Sequence, residues 1–356
     1  MSRTRVISAT ESLYAGSSPA TGAGDAAGTG VFQLFRVQSC TQGWNLARTD
    51  VNQFGALAPV SREINTAPTV TLDFSYFLTN LLNEQRLGFV VDGSTSCISH
   101  LLDKTQDERN YYLTQAPEGD DDINYTGTDR SVMGIGNGFI SSYSTEAAVN
   151  GFPTSTVRVE GLNIASYLSS TGQQSPAVNP VDGSKVPQTF SIPVAITGVA
   201  GQVPILKHGD ITLSLVNPQV GVAINDAKIQ RYTLAFNLAR EPQEKIGSKF
   251  AFSREIRFPI AVSLTVDANV GDMTSGNLAD ILCNDQFYNL HIGMAKPQCT
   301  GVGTEAVGFS LRNAKLDSQN FNTTIGPNKT VAMVWSANIG GPQDTLNGLF
   351  MSGTLT

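Results

Sequence analysis

Trp44-Asn-Leu-Ala-Arg48 recurs as Phe236-Asn-Leu-Ala-Arg240, and Ser61-Arg-Glu-Ile64 recurs as Ser253-Arg-Glu-Ile256, both at a spacing of 192 residues. No other feature narrows the fold as much, because a chain that repeats itself folds as like units placed side by side or stacked. Gly55 and Gly247 fall on the same register. Aligning residues 44–72 with 236–264 gives eleven identities in 29 positions: Asn45, Leu46, Ala47, Arg48, Gly55, Ser61, Arg62, Glu63, Ile64, Val70 and Leu72. About two are expected from average composition. The likeness continues at shrinking spacings. Asn110-Tyr-Tyr-Leu faces Asn289-Leu-His-Ile at 179, and Pro153-Thr-Ser-Thr-Val faces Pro327-Asn-Lys-Thr-Val at 174. Longer loops in the first copy, around Val90–Ser96 and Glu118–Asp129, account for the drift.

A length of 356 residues suits two such units, since a single core seldom grows past roughly 250–300 residues. Residues 1–30, rich in Ala, Gly, Ser and Thr, lack the apolar surface to fold alone and read as a flexible N-terminal arm, or one that orders only on a neighbouring subunit, and residues 169–186 read as a soft linker. The expected units are therefore residues 31–168 and 187–356.

Within them the dominant pattern alternates apolar and polar residues, as in Val31-Phe-Gln-Leu-Phe-Arg-Val, Thr69-Val-Thr-Leu-Asp-Phe-Ser-Tyr-Phe, Thr156-Val-Arg-Val-Glu-Gly-Leu, Asp210-Ile-Thr-Leu-Ser-Leu-Val and Thr330-Val-Ala-Met-Val-Trp. A period of two with β-branched and aromatic residues marks half-buried strands. Helical signal is confined to three short stretches, Thr79–Leu87 stopped by Gly88, Cys97–Lys104 and Asn277–Cys283. The fold class is mainly β, and each copy reads as strand, long excursion, strand, helix, strand, strand.

Charged residues make up only 15% of the chain, well below the roughly 25% of an average soluble protein. The surface must be rich in small polar residues, with part of it covered by other subunits. A net charge of -7 argues against wrapping nucleic acid, which needs a concentrated Lys/Arg face. Cys40, Cys97, Cys283 and Cys299 lack C-x-x-C spacing and read as free thiols in a reducing compartment. No run of about 18 apolar residues suggests a membrane span, and the N-terminus lacks the apolar stretch of a signal peptide; a soluble protein made in a cytoplasm is expected.

Catalytic and ligand chemistry finds little to stand on. His100, His208 and His291 lie far apart with no carboxylate or cysteine at ligand spacing. Asp120-Asp121-Asp122 lacks the glycine and terminal glutamate of a calcium loop and reads as a solvated loop. Gly134-Ile-Gly-Asn-Gly138 reads as a turn before a strand, not a phosphate cradle. Asn124 and Asn328 fit the glycosylation pattern without any secretory route. No catalytic residue, metal or cofactor is implied. The polar feature with the strongest claim is the repeated Arg-Glu pair. Neighbours on a strand point to opposite faces, so each charge needs its own partner. Two readings stand side by side: an ordinary surface strand, where exposed pairs are worth little, and inter-subunit ion pairs that set the register of a ring, with Arg48, Arg62, Glu63, Arg240, Arg254 and Glu255 as the candidates.

Asp50-Val-Asn-Gln-Phe-Gly, Pro68-Thr-Val-Thr-Leu-Asp-Phe-Ser-Tyr, Gly138-Phe-Ile-Ser-Ser-Tyr and Phe152-Pro-Thr-Ser-Thr-Val-Arg-Val-Glu-Gly-Leu-Asn-Ile in the first copy resemble the major tail tube proteins of tailed bacteriophages. In the second copy the resemblance rests on His208-Gly-Asp-Ile-Thr-Leu, Arg240-Glu, Phe252-Ser-Arg-Glu-Ile-Arg-Phe-Pro259 and the strand after Pro327. It covers most of residues 30–356 and is one of pattern. It implies two packed β-sheets with a flanking helix per unit, whose inner strands join those of neighbours into a barrel around a channel. Rings then stack into a tube, with other tail proteins as partners, the phage DNA passing through without specific binding, and no membrane insertion. One such domain per chain in hexameric rings is the family's habit. Two per chain implies a trimeric ring with pseudo-sixfold symmetry, against a hexamer decorated by the second copy. An acidic balance suits a lumen along which DNA slides. Residence in the virion tail after assembly in the host cytoplasm follows. A tail terminator or baseplate hub ring that does not polymerise, and a carbohydrate-binding or hydrolytic β domain, are the other expectations; the second would need a cleft of aromatics with paired carboxylates.

Overall fold

The computed structural model describes residues 10–17, 30–104, 106–197, 206, 209, 211–215, 228–269, 287–296, 303–322 and 329–355. The expected helix at Asn277–Cys283 and residues His208, Cys283, Cys299 and Pro327 lie outside them. The first half runs β1 (Glu11–Ser17), β2 (Val31–Leu34), β3 (Val37–Asn45), β4 (Arg48–Val51), β5 (Ser61–Ile64), β6 (Thr69–Phe77), α1 (Leu82–Leu87), α2 (Ser99–Leu102), β7 (Glu108–Gln115), β8 (Ser131–Ala148), β9 (Thr154–Gly161) and β10 (Asn163–Tyr167). A hairpin of β11 (Thr171–Gln174) and β12 (Thr189–Ser191) follows. The second half runs β13 (Ile211–Leu215), β14 (Lys228–Asn237), β15 (Arg240–Gln243), β16 (Ser253–Ile256), β17 (Ile260–Asn269), β18 (Tyr288–Ala295), β19 (Glu305–Asn322), β20 (Thr330–Ile339) and β21 (Gly348–Gly353). The chain is mainly β, and among the described residues its named strands pair antiparallel in one large sheet system and three two-stranded sheets.

The pairings of the first half recur in the second at fixed spacings. Leu13↔Leu113 becomes Leu213↔Ile292, Trp44↔Val70 becomes Phe236↔Val262, and Ser142↔Arg158 becomes Ser318↔Val334. The irregularities repeat as well. Register shifts between Val37/Ser39, Arg109/Tyr111 and Ile140/Ser142 reappear between Ile229/Arg231, Tyr288/Leu290 and Leu316/Ser318. Asn137 and Asn313, 176 residues apart, both sit at positive φ, 53° and 57°. Each donates its backbone N–H to the side-chain oxygen of an equivalent asparagine, Asn110 or Asn289. Bulges bend a strand and strengthen its twist, and here they bend the two longest strands, β8 and β19. The N-terminal part of each pairs with β7 and β10, or β18 and β21; the C-terminal part pairs with β9, or β20. Each half is thus two sheets that share one bent strand.

Strict alternation builds the core between them. Val70, Leu72, Phe74 and Tyr76 of β6 are buried while Thr71, Asp73 and Ser75 face outward, and β17 repeats this with Val262, Leu264, Val266 and Ala268. A fully buried large apolar side chain is worth roughly 1.5–3 kcal/mol, so a one-residue slip, which turns every such side chain outward, is excluded. Helix α1 covers the core and ends at Gly88, whose φ of 100° lets its N–H close on Gln85 and Glu84.

Four expectations need correction. Residues 11–17 of the presumed arm form β1, paired with both β2 and β7, with Tyr14 and Ala15 buried; a short alternating run gains a partner on each edge and no longer has to fold alone. The presumed linker at 169–186 is packed onto the first half. Ala177 and Val178 are buried, and Pro176 lies so close to Gly136 that a Cβ there would meet its carbonyl oxygen. The packing extends past residue 187, with Phe190 against Tyr112 and the Tyr14 hydroxyl donating to the Pro193 carbonyl, so this stretch belongs to the first half. Gly134–Gly138 lies inside β8, at its bend, because the glycines admit the Pro176 segment. Asp122 is buried against Arg130 at 3.5 Å and accepts from Thr114, so the acidic run is not a wholly solvated loop.

Candidate assembly surface

A single antiparallel ladder runs through both halves in the order β3, β6, β9, β8, β14, β17, β20, β19. Its inner face is the apolar core. Its outer face, set by the same alternation, carries Ser39, Thr41, Asn45, Thr71, Ser75, Ser142, Ser144 and Thr156 in the first half. Thr233, Asn237, Ser263, Thr265, Ala332, Ser336 and Asn320 continue it in the second. Short side chains of this kind give a smooth, wettable wall. Its charges sit beside opposite charges: Arg231 bonds Glu146 at 2.6 Å and Arg158 lies 3.8 Å from Asp73. With Asp73, Glu146, Glu160 and Asp267 set against Arg158, Arg231 and Lys315, the face is close to neutral. The acid excess of the chain is therefore not concentrated here.

The halves are joined by β14, which pairs with β8 from Arg231↔Ala148 to Asn237↔Ser142. Tyr232, Leu234 and Phe236 enter the common core there, and the Phe236 ring stands 5.5 Å from that of Tyr143. The β15–β16 hairpin then folds over the first half. Arg240 donates to the Ile140 carbonyl through Nε and to both carboxylate oxygens of Asp107. Arg254 bonds Glu160 at 2.9 Å, and Lys104 bonds Glu255 at 2.6 Å. Burial pushes the Asp107 carboxyl above its ordinary value in spite of Arg240 beside it, whereas the Lys104 ammonium and the Ser253 hydroxyl hold Glu255 below its own.

By pattern alone, all six repeated charges are candidates for contacts between subunits. Arg240, Arg254 and Glu255 instead bond across the two halves of one chain, because the duplication supplies a first-half surface to receive them. Arg48, Arg62 and Glu63 are exposed. Arg62 bonds Asp50 within its own hairpin at 2.7 Å, and Arg48 reaches the Arg62 carbonyl, much as Arg240 reaches that of Arg254.

Sequence reasoning missed Glu84. It is fully buried beneath the sheet, where the hydroxyls of Tyr76 and Tyr143 both donate to its Oε1, at 2.7 and 3.1 Å. Burial raises its pKa to about 7, against the opposing pull of those hydrogen bonds. A lone Glu in a short helical stretch, Asn83-Glu84-Gln85, gives no signal of this. His291 bonds Ser310 and Glu305 at 2.8 and 2.7 Å, and His100 lies in α2, far from it in sequence. Among the described residues no cluster of three His, Cys, Asp or Glu could hold a metal, and no helix is long and apolar enough to cross a membrane. Cys40 and Cys97 are free thiols, both pushed up by burial.

No protein-family model matches the chain and no curated protein matches it. Among solved structures, the chain is similar to one from the cryo-EM structure of the anti-feeding prophage (AFP) baseplate, 6-fold symmetrised, at 8% identity and a TM-score of 0.20, covering 60% of this chain and 93% of that one. A TM-score that low bears no weight for fold or function.

Proposed function

We propose that this chain is a structural subunit of a phage tail, not an enzyme, and that it assembles with itself into trimeric, pseudo-sixfold rings that stack into a tube. The smooth polar face of the sheet lines the conduit through which DNA passes without being gripped. Other tail proteins meet the ends of the tube, and the subunit resides in the virion after assembly in the host cytoplasm. The observation that carries this reading is the eight-strand ladder, with an apolar core on one face and, on the other, short polar side chains among charges that nearly balance. Its terminal strands β3 and β19 each keep an edge unpaired among the described strands. An open edge invites aggregation in a monomer and is removed when strands close into a barrel. A heterologous contact that closes makes a ring, and stacked rings make a filament. The outer face lacks the basic stripe that would bind phosphate, which suits passage over retention.

Electron microscopy of the purified chain over a concentration series tests this. Tubes with a regular axial repeat, and ring averages showing three chains of two similar lobes, are expected. Isolated rings at every concentration would favour a tail terminator or baseplate hub ring. Six equivalent chains per ring would replace the trimer by a hexamer, and a persistent monomer would end the reading.

A further inference from the structure

Both surfaces of the join inside the chain recur unfilled elsewhere on it. In the join, β14 puts Tyr232, Leu234 and Phe236 into the core, all buried. Their equivalents 192 residues earlier are Cys40, Gln42 and Trp44 on β3. The first two are only half-buried, and Trp44 is 64% exposed where Phe236 is 2%. On the receiving side, β8 offers Ile140, Tyr143 and Thr145, all buried. Their equivalents 176 residues later are Leu316, Gln319 and Phe321 on β19, none of them buried and Phe321 45% exposed. The hairpin repeats the contrast: Arg240 is buried over the first half while Arg48 is exposed.

We infer that the open edge of β3 in one chain pairs antiparallel with the open edge of β19 in the next, and that the β4–β5 hairpin folds over that neighbour as β15–β16 folds over the first half. This rests on the ring reading above and adds the partner surfaces and their register. Transferring Asn237↔Ser142 and Ala235↔Ser144 by the two spacings gives Asn45↔Ser318 and Gly43↔Asn320 between chains. Trp44 then enters the neighbour's core beside Gln319, whose side-chain nitrogen is buried without a hydrogen-bond partner among the described residues. Arg48 reaches the neighbour's Leu316 carbonyl, as Arg240 reaches that of Ile140.

The test combines a cross-link with an edge mutation in the full chain. Gly43→Cys with Asn320→Cys, oxidised or treated with a short bismaleimide after assembly, is expected to give covalent dimers and closed trimers on a denaturing gel; Gly43→Cys with Ser318→Cys, two residues out of register, is expected to cross-link at least tenfold less. Trp44→Glu, at an exposed position, is expected to keep the wild-type circular dichroism and melting temperature while raising the concentration needed for assembly at least tenfold. Rings that form with neither the Gly43–Asn320 cross-link nor any effect of Trp44→Glu overturn this junction and leave the ring reading standing. A stronger Gly43–Ser318 cross-link overturns the register. A wild-type chain that never assembles overturns both.

Discussion

Arg240 lays its two terminal guanidinium nitrogens on the two carboxylate oxygens of Asp107, at 2.9 and 2.6 Å, across the join between the halves. The pair is almost wholly withdrawn from water, with side-chain exposures of 1% and 10%. Removing one partner strands a buried charge. Arg240→Ala is therefore expected to cost about 3–5 kcal/mol, read as a drop in the urea midpoint. Replacing both partners with apolar residues, Arg240→Met with Asp107→Leu, is expected to recover most of it. A loss below about 1 kcal/mol for Arg240→Ala, the range of an exposed pair, would mean that the hairpin does not hold the halves together.

Glu84 makes stability fall as pH rises. Its folded pKa, about 7, lies above the ordinary carboxylate value of 4.5. Between those values the folded state binds the extra proton, so the proton favours folding there. Below pH 4.5 there is no penalty; it grows as pH climbs to 7 and then levels off at about 3 kcal/mol, from roughly 1.4 kcal/mol per pKa unit. Glu84→Gln is expected to flatten the decline in melting temperature between pH 5 and 8. An equal slope in wild type and variant would assign the decline to other groups.

Asn137 holds the bend of β8 in a left-handed conformation and bonds Val178 through both ends of its amide. Alanine there meets the left-handed cost of roughly 1–2 kcal/mol and leaves the Val178 groups without partners. Asn137→Ala is expected to lose about 2–3 kcal/mol, and Asn137→Gly less, since glycine accepts the backbone. Chemical denaturation of the two variants decides it, and an equal loss would remove the backbone from the account.

The tip between β4 and β5 exposes Phe54 and Leu57 completely, and the equivalent tip in the second half exposes Ile246. Under the stacked-ring proposal these tips touch the adjacent ring. Phe54→Ser with Leu57→Ser is expected to leave single rings intact while abolishing tubes in electron micrographs. Tubes of normal length would move the axial contact elsewhere.

Much of this fold is legible in the sequence for a physical reason. Alternation with a period of two reports which side chains are buried, so the strands around Val70, Val157 and Val331 can be seen, and helix α1 announces itself by Gly88. The same period hides even slips. The sequence pairs Val157 with Val331 at a spacing of 174, whereas the ladders equate Val157 with Met333 at 176, and a shift of two leaves every face unchanged. The packing of Pro176 onto Gly136 and the burial of Glu84 depend on contacts between distant segments, which local pattern does not encode. The charges of the β15–β16 hairpin were visible, yet their partners Asp107, Glu160 and Lys104 lie in the other half.

The β8–β14 join has a kinetic consequence. Under the ring proposed above, one chain carries both surfaces of the join, so half the contacts of the pseudo-sixfold ring form at the effective concentration of a tether, not of a solution. Ring closure then needs three chains to meet where separate domains would need six. The nucleation rate therefore varies with a lower power of subunit concentration, and completed rings have fewer joints at which to open.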